Sequence, residues 1–99
     1  MNADVRLAHV LTHKLGIEVS ELAIGHETMW IGKSEVDPHL IESEIIEQLG
    51  EMVTVNSASY ETDDGTYYLL ICVKLLDETI HEIWLVNDEV HPDFLDDLK

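Results

Sequence analysis

Basic residues are scarce in this chain: five Lys and Arg stand against 21 Asp and Glu in 99 residues, a formal charge of −16. A field of that sign makes direct binding to nucleic acid or to an anionic membrane very unfavourable, and it favours a basic protein partner. Cysteine is nearly absent as well. The single Cys72 excludes a disulfide framework within the chain, and its place in the apolar run YYLLICVKLL reads as a buried, inert thiol rather than a nucleophile. With only two prolines and no repeat, linker or low-complexity run, residues 1–99 read as one domain, able to bury a modest core without disulfides or metal. No apolar stretch approaches the roughly 18 residues a membrane span needs, and the first residues lack the basic flank and apolar run of a secretory signal; a cytoplasmic location is expected.

What is present is ordinary globular material. The apolar fraction of 45% places the acidity on a folded surface rather than in a disordered tail. Salt adaptation is another source of such acidity, but the chain keeps four Lys to one Arg and many Ile, with no wholesale loss of large aliphatics.

Along residues 3–15, Leu7, Ala8, Leu11 and Leu15 recur at helical spacing, and Gly16 sits where a glycine would end the helix. Residues 17–25 read as a connection that becomes extended towards HETMWIG (26–32). Asp37 as N-cap, Pro38 at the first helical position and Gly50 after the last apolar residue predict a second helix. On it Ile41, Ile45, Ile46 and Leu49 gather on one side, and Glu44 and Glu47 fall on the other, about 5–6 Å apart at Cβ. After Gly50 the period changes to two. Residues 52–61, 65–76 and 79–87 read as strands, with turns at Asp63-Asp64-Gly65 and Asp77-Glu78. The middle strand is apolar on both faces apart from Lys74, which places it centrally. HPDFLDDLK suggests a helical turn docking Phe94, Leu95 and Leu98. The expected fold is an α+β single-domain sandwich: an antiparallel sheet of about five strands with two main helices packed on one of its faces.

Catalytic signatures are missing. There is no glycine-rich phosphate loop, no G-x-S-x-G, no Cys/His constellation and no carboxylate pair spaced for a cleft. His9 and His13 lie four apart on the first helix, but no HExxH forms and no third ligand is indicated; His91-Pro92-Asp93 is a weaker signal still. We therefore expect no enzyme activity, no cofactor and no metal. The remaining puzzle is HETMWIG, which sets Glu27 in front of Met29, Trp30 and Ile31. It reads either as an ordinary edge strand or as an element inserted into a partner.

In order along the chain, HKLGIEV (13–19), HETMWIG, PHLIESEIIEQLG (38–50), VTVNSASYETDDGTYYLLI (53–71) and HEIWLVND (81–88) resemble the phage uracil-DNA glycosylase inhibitors. These small acidic proteins block a repair enzyme by imitating its DNA substrate. The likeness spans roughly residues 5–88 and is one of pattern order. It departs from the family at Gly32-Lys33, at Ser59 and in HPDFLDDLK, which has no counterpart. The resemblance implies that Glu27 occupies a phosphate-binding position, that Thr28 replaces a family serine, and that Met29, Trp30 and Ile31 continue the inserted strand. It implies that Glu44 and Glu47 meet the rim of the enzyme's groove. It also implies a hydrophobic pocket for the leucine that the enzyme wedges into the DNA minor groove, with Ile31, Ile45, Leu49, Val55, Tyr68, Leu70 and Val86 at the matching positions. Same-face residues on a strand lie roughly 6.6 Å apart, so carboxylates so placed can imitate a row of phosphates.

Two other readings share the charge argument. One is an acidic phage inhibitor of another nucleic-acid enzyme, an anti-CRISPR or anti-restriction DNA mimic; the other is an immunity protein or antitoxin against a basic nuclease. In a third reading, that of a plain structural or adaptor domain, the carboxylates only solvate the surface. In each inhibitor reading the partner is a basic nucleic-acid-binding protein, with no direct contact to nucleic acid or membrane.

Overall fold

The period-two pattern after Gly50 becomes an antiparallel meander. A computed structural model describes residues 3–96. Helix α1 (Ala3–His13) leads through a 3-10 turn at Glu21–Ala23 to β1 (Gly25–Gly32); a second 3-10 turn (Lys33–Glu35) and a short helix α2 (Ser43–Ile46) precede β2 (Met52–Glu61), β3 (Tyr67–Lys74), β4 (Ile80–Val86) and β5 (Glu89–Val90). All five strands form one antiparallel sheet in the order β1-β2-β3-β4-β5. The strand that is apolar on both faces, β3, is the central one.

The turns follow from their residues. Gly16 (φ 65°) leaves α1 in the left-handed region, and Ile17 N–H donates to Leu11 O at 2.9 Å to close the helix end. Between β2 and β3, Gly65 takes φ 86°, and Thr62 N–H donates to Thr66 O at 2.9 Å. The Thr62 hydroxyl and the Thr66 N–H both donate to the Asp64 carboxylate, which holds its pKa below the usual carboxylate value. Asp77 is lowered in the same way by the Thr79 hydroxyl and N–H. Asn87 and Asp88, with φ 51° and 68°, form the two-residue turn into β5.

Both faces of the sheet are covered, where the sequence pattern suggested one. Leu7, Val10 and Leu11 of α1 pack on Ala58, Leu70, Cys72 and Trp84, with Phe94 of the C-terminal turn closing the cluster. Trp84 and Phe94 stack with ring centroids 4.9 Å apart. Arg6 fastens α1 to β4 through a 2.8 Å bond from its Nε to Glu82. On the opposite face Val36, Ile41 and Leu49 cover Val53, Val55, Val73, Ile83 and Leu85. A central strand with apolar side chains pointing both ways requires a cover on each side. Of the residues expected to dock the C-terminal turn, Phe94 is buried and Leu95 half-buried, while Leu98 lies outside the described residues.

Only one of the two expected main helices is present. Asp37 does not cap a long helix: its carboxylate accepts from His39 N–H at 2.8 Å, and a single turn closes with Leu40 and Ile41 N–H donating to Asp37 O. The chain re-extends at Glu42 (φ −62°, ψ 148°) before the four residues of α2. The β-branched Ile41, Ile45 and Ile46 add little helix propensity to resist this break, and the break lets Ile41 reach the core independently of Ile45 and Ile46.

Candidate functional site

HETMWIG lies in β1, an edge strand that pairs, among the described residues, with β2 alone. Its register, Glu27 opposite Ser57, Thr28 opposite Asn56, Met29 opposite Val55 and Trp30 opposite Thr54, sorts its side chains by face. Thr28 and Trp30 stand on the α1 side of the sheet, and Glu27, Met29 and Ile31 on the other. Trp30 is 65% exposed and Met29 38%. The tryptophan is therefore no part of the domain's own core.

Beside Glu27 the sheet is hollowed. Residues 33–50 cover only one end of their face, and at the uncovered end the small residues Gly25, Ser57 and Ser59 leave a trough. Met29, Val55, Tyr67, Leu69 and Ile71 wall it, Glu27 borders it, and its volume is about 480 Å3. A Cβ on Gly25 would meet Ser59 Oγ at 3.2 Å, so a larger residue there would crowd the Ser59 hydroxyl on the trough floor. On the other side of β1 a second recess of about 210 Å3 is polar, formed by Asp4, His26, Thr28, Asn56 and Ser57. Within it Thr28 Oγ1 donates to Asn56 Oδ1 at 2.7 Å. Glu27 thus stands between an apolar groove and a polar recess.

The seven residues expected to line one pocket are divided between the two faces. Ile31, Ile45, Leu49 and Val55 belong to the cluster under residues 33–50, whereas Tyr68, Leu70 and Val86 belong to the α1 cluster. Val55 alone of the seven lines the groove. Leu70, with no exposed surface, is plain core. Groove residues that the sequence analysis passed over, Ser57, Ser59, Tyr67, Leu69 and Ile71, carry a readable signal: they alternate along two strands whose register the Asp63-Asp64-Gly65 turn sets. Glu44 and Glu47 are exposed on and just after α2, where Gln48 Nε2 donates to Glu44 O at 3.1 Å.

Cys72 faces the α1 cluster at 2% exposure, and its thiol pKa is pushed up to about 11, first by burial and then by the nearby Glu82 charge. The thiol should therefore resist a disulfide exchange reagent at pH 8 in the folded protein and react within seconds in denaturant. Rapid labelling of the native chain would show that the α1 cluster opens locally.

The His9 and His13 rings lie 4.5 Å apart. Among the described residues no group of three or more His, Cys, Asp or Glu is arranged to hold a metal ion, and no helix is long and apolar enough to cross a membrane. The fold and site define an acidic α+β domain with an exposed edge strand, β1, and an apolar groove beside it. Compared with family models, curated proteins and solved structures, the chain gives no match.

Proposed function

We propose that this chain is a protein inhibitor of uracil-DNA glycosylase that enters the enzyme's basic DNA-binding groove with β1 leading. Glu27 stands in for a DNA phosphate, Glu44 and Glu47 meet the groove's rim, and the leucine that the enzyme wedges into the minor groove enters the apolar trough of Met29, Val55, Leu69 and Ile71. The carrying observation is the juxtaposition of an exposed edge-strand carboxylate with an open groove of about 480 Å3. Either feature alone is common on protein surfaces. Together they match a surface that presents cationic phosphate-binding groups and one protruding apolar side chain. Burying a leucine side chain contributes about 1.5–3 kcal/mol, while the charge of −16 steers the encounter.

The acidity by itself fits any basic nucleic-acid enzyme. The trough beside Glu27 is what favours a target with an exposed apolar wedge. Mixed at equimolar concentration, purified protein should suppress uracil release from a uracil-containing oligonucleotide almost completely. Undiminished excision would sink the reading, and an affinity pull-down would then look for a different basic nuclease or restriction complex.

A further inference from the structure

We propose that β1 engages its partner through its backbone, adding an extended, basic segment of the target enzyme as a sixth strand to the open edge of the sheet. The inference rests on the reading of the chain as an inhibitor of a basic enzyme and specifies how that enzyme is held.

The hydrogen-bond phase of β1 follows from two bonds at its end. Lys33 N–H donates to Glu51 O at 2.9 Å, towards β2, whereas Gly32 N–H donates to the Glu35 carboxylate at 3.0 Å, away from it. Backbone groups alternate sides along a strand. Ile31, Met29 and Glu27 therefore exchange ladder bonds with Val53, Val55 and Ser57, and His26, Thr28 and Trp30 turn their N–H and C=O groups outward. Among the described residues no hydrogen bond reaches those six outward groups.

Edge strands usually carry a device against strand addition, such as a proline, a charged side chain, a bulge or a covering loop; the one acidic charge in β1, Glu27, repels other acidic chains and attracts basic ones. Across Gly25–Gly32, β1 has no Pro or Lys and pairs residue for residue without a bulge. Glu35 covers the single donor at the strand's end and leaves the next three open. Trp30 and Met29, exposed on opposite faces, provide an aromatic and an aliphatic cross-strand neighbour for whatever pairs there. A second copy of the chain is a poor occupant because each copy carries a charge of −16. A segment rich in Lys or Arg is the complementary one, with Glu27 beside it. Main-chain bonds then supply affinity, and the groove supplies selectivity for the neighbouring side chain.

Hydrogen exchange on the complex with a uracil-DNA glycosylase tests this directly. In the free protein the His26, Thr28 and Trp30 amides should exchange quickly, and in the complex they should slow by about tenfold or more. Thr28→Pro removes one outward donor and spares the ladder to β2, while Thr28→Val removes only the hydroxyl. The proline variant should weaken inhibition by about tenfold and the valine variant by less than about threefold. If excision is blocked while the three amides keep their free-protein rates, strand addition is wrong and the inhibitor reading stands. If the wild-type protein leaves excision untouched, both fall together.

Discussion

Replacing Glu27 by lysine should abolish most of the proposed inhibition of a uracil-DNA glycosylase while leaving the fold intact. Glu27 is exposed on an edge strand and forms no salt bridge among the described residues, so the free domain should lose no more than about 0.5 kcal/mol. In the proposed complex the same side chain is set against cationic phosphate-binding groups. Losing a buried interfacial charge pair costs about 2–5 kcal/mol, which is roughly 30-fold to several thousand-fold in affinity, and the new like charge adds repulsion. Glu27→Gln keeps shape and removes charge, so it should fall between wild type and lysine. Titrated inhibition with a thermal melt alongside is the measurement. Full potency in Glu27→Lys would remove the phosphate-mimic role from β1.

The second large effect separates two adjacent leucines. Leu69 and Leu70 neighbour each other on β3 but face opposite ways, Leu69 into the groove and Leu70 under α1 against Ala58 and Trp84. Leu70→Ala should destabilise the domain by about 2–5 kcal/mol, a large share of the roughly 5–15 kcal/mol that holds such a domain together. The melting temperature should then drop by more than about 10 °C. At a temperature where it remains folded, Leu70→Ala should inhibit as wild type does. Leu69→Ala should reverse the pattern, costing about 1 kcal/mol of stability and about tenfold in inhibition, because the trough loses a wall. If Leu70→Ala weakened binding in the folded state and Leu69→Ala did not, the binding face would be the α1 side.

Much of this was visible in the residues. The strand apolar on both sides is central, the acidic hairpin turn has its glycine at positive φ, and Gly16 ends the first helix. The short β5 follows Asn87 and Asp88, a pair whose tolerance of positive φ was a usable turn signal. The end signals for a second long helix are good, yet the chain forms a turn at Asp37 and then the four-residue α2. Capping residues mark where a helix can start, and here Asp37 is used instead in a turn with His39, a competition between local hydrogen bonds that spacing does not reveal. The seven pocket positions fall on two faces for a different reason. A match of order along the chain carries no information about which way each strand residue points.

By itself the sequence determined the charge, the meander and its turns, and the placing of Glu27 ahead of Met29 and Trp30. These depend on composition and on contacts local in sequence. Only the tertiary structure decided that β1 is an open edge, that residues 33–50 leave part of one face bare, and that Gly25, Ser57 and Ser59 line up beneath an apolar trough. Those facts rest on strand register, and a shift of one residue exchanges every side chain between the two faces.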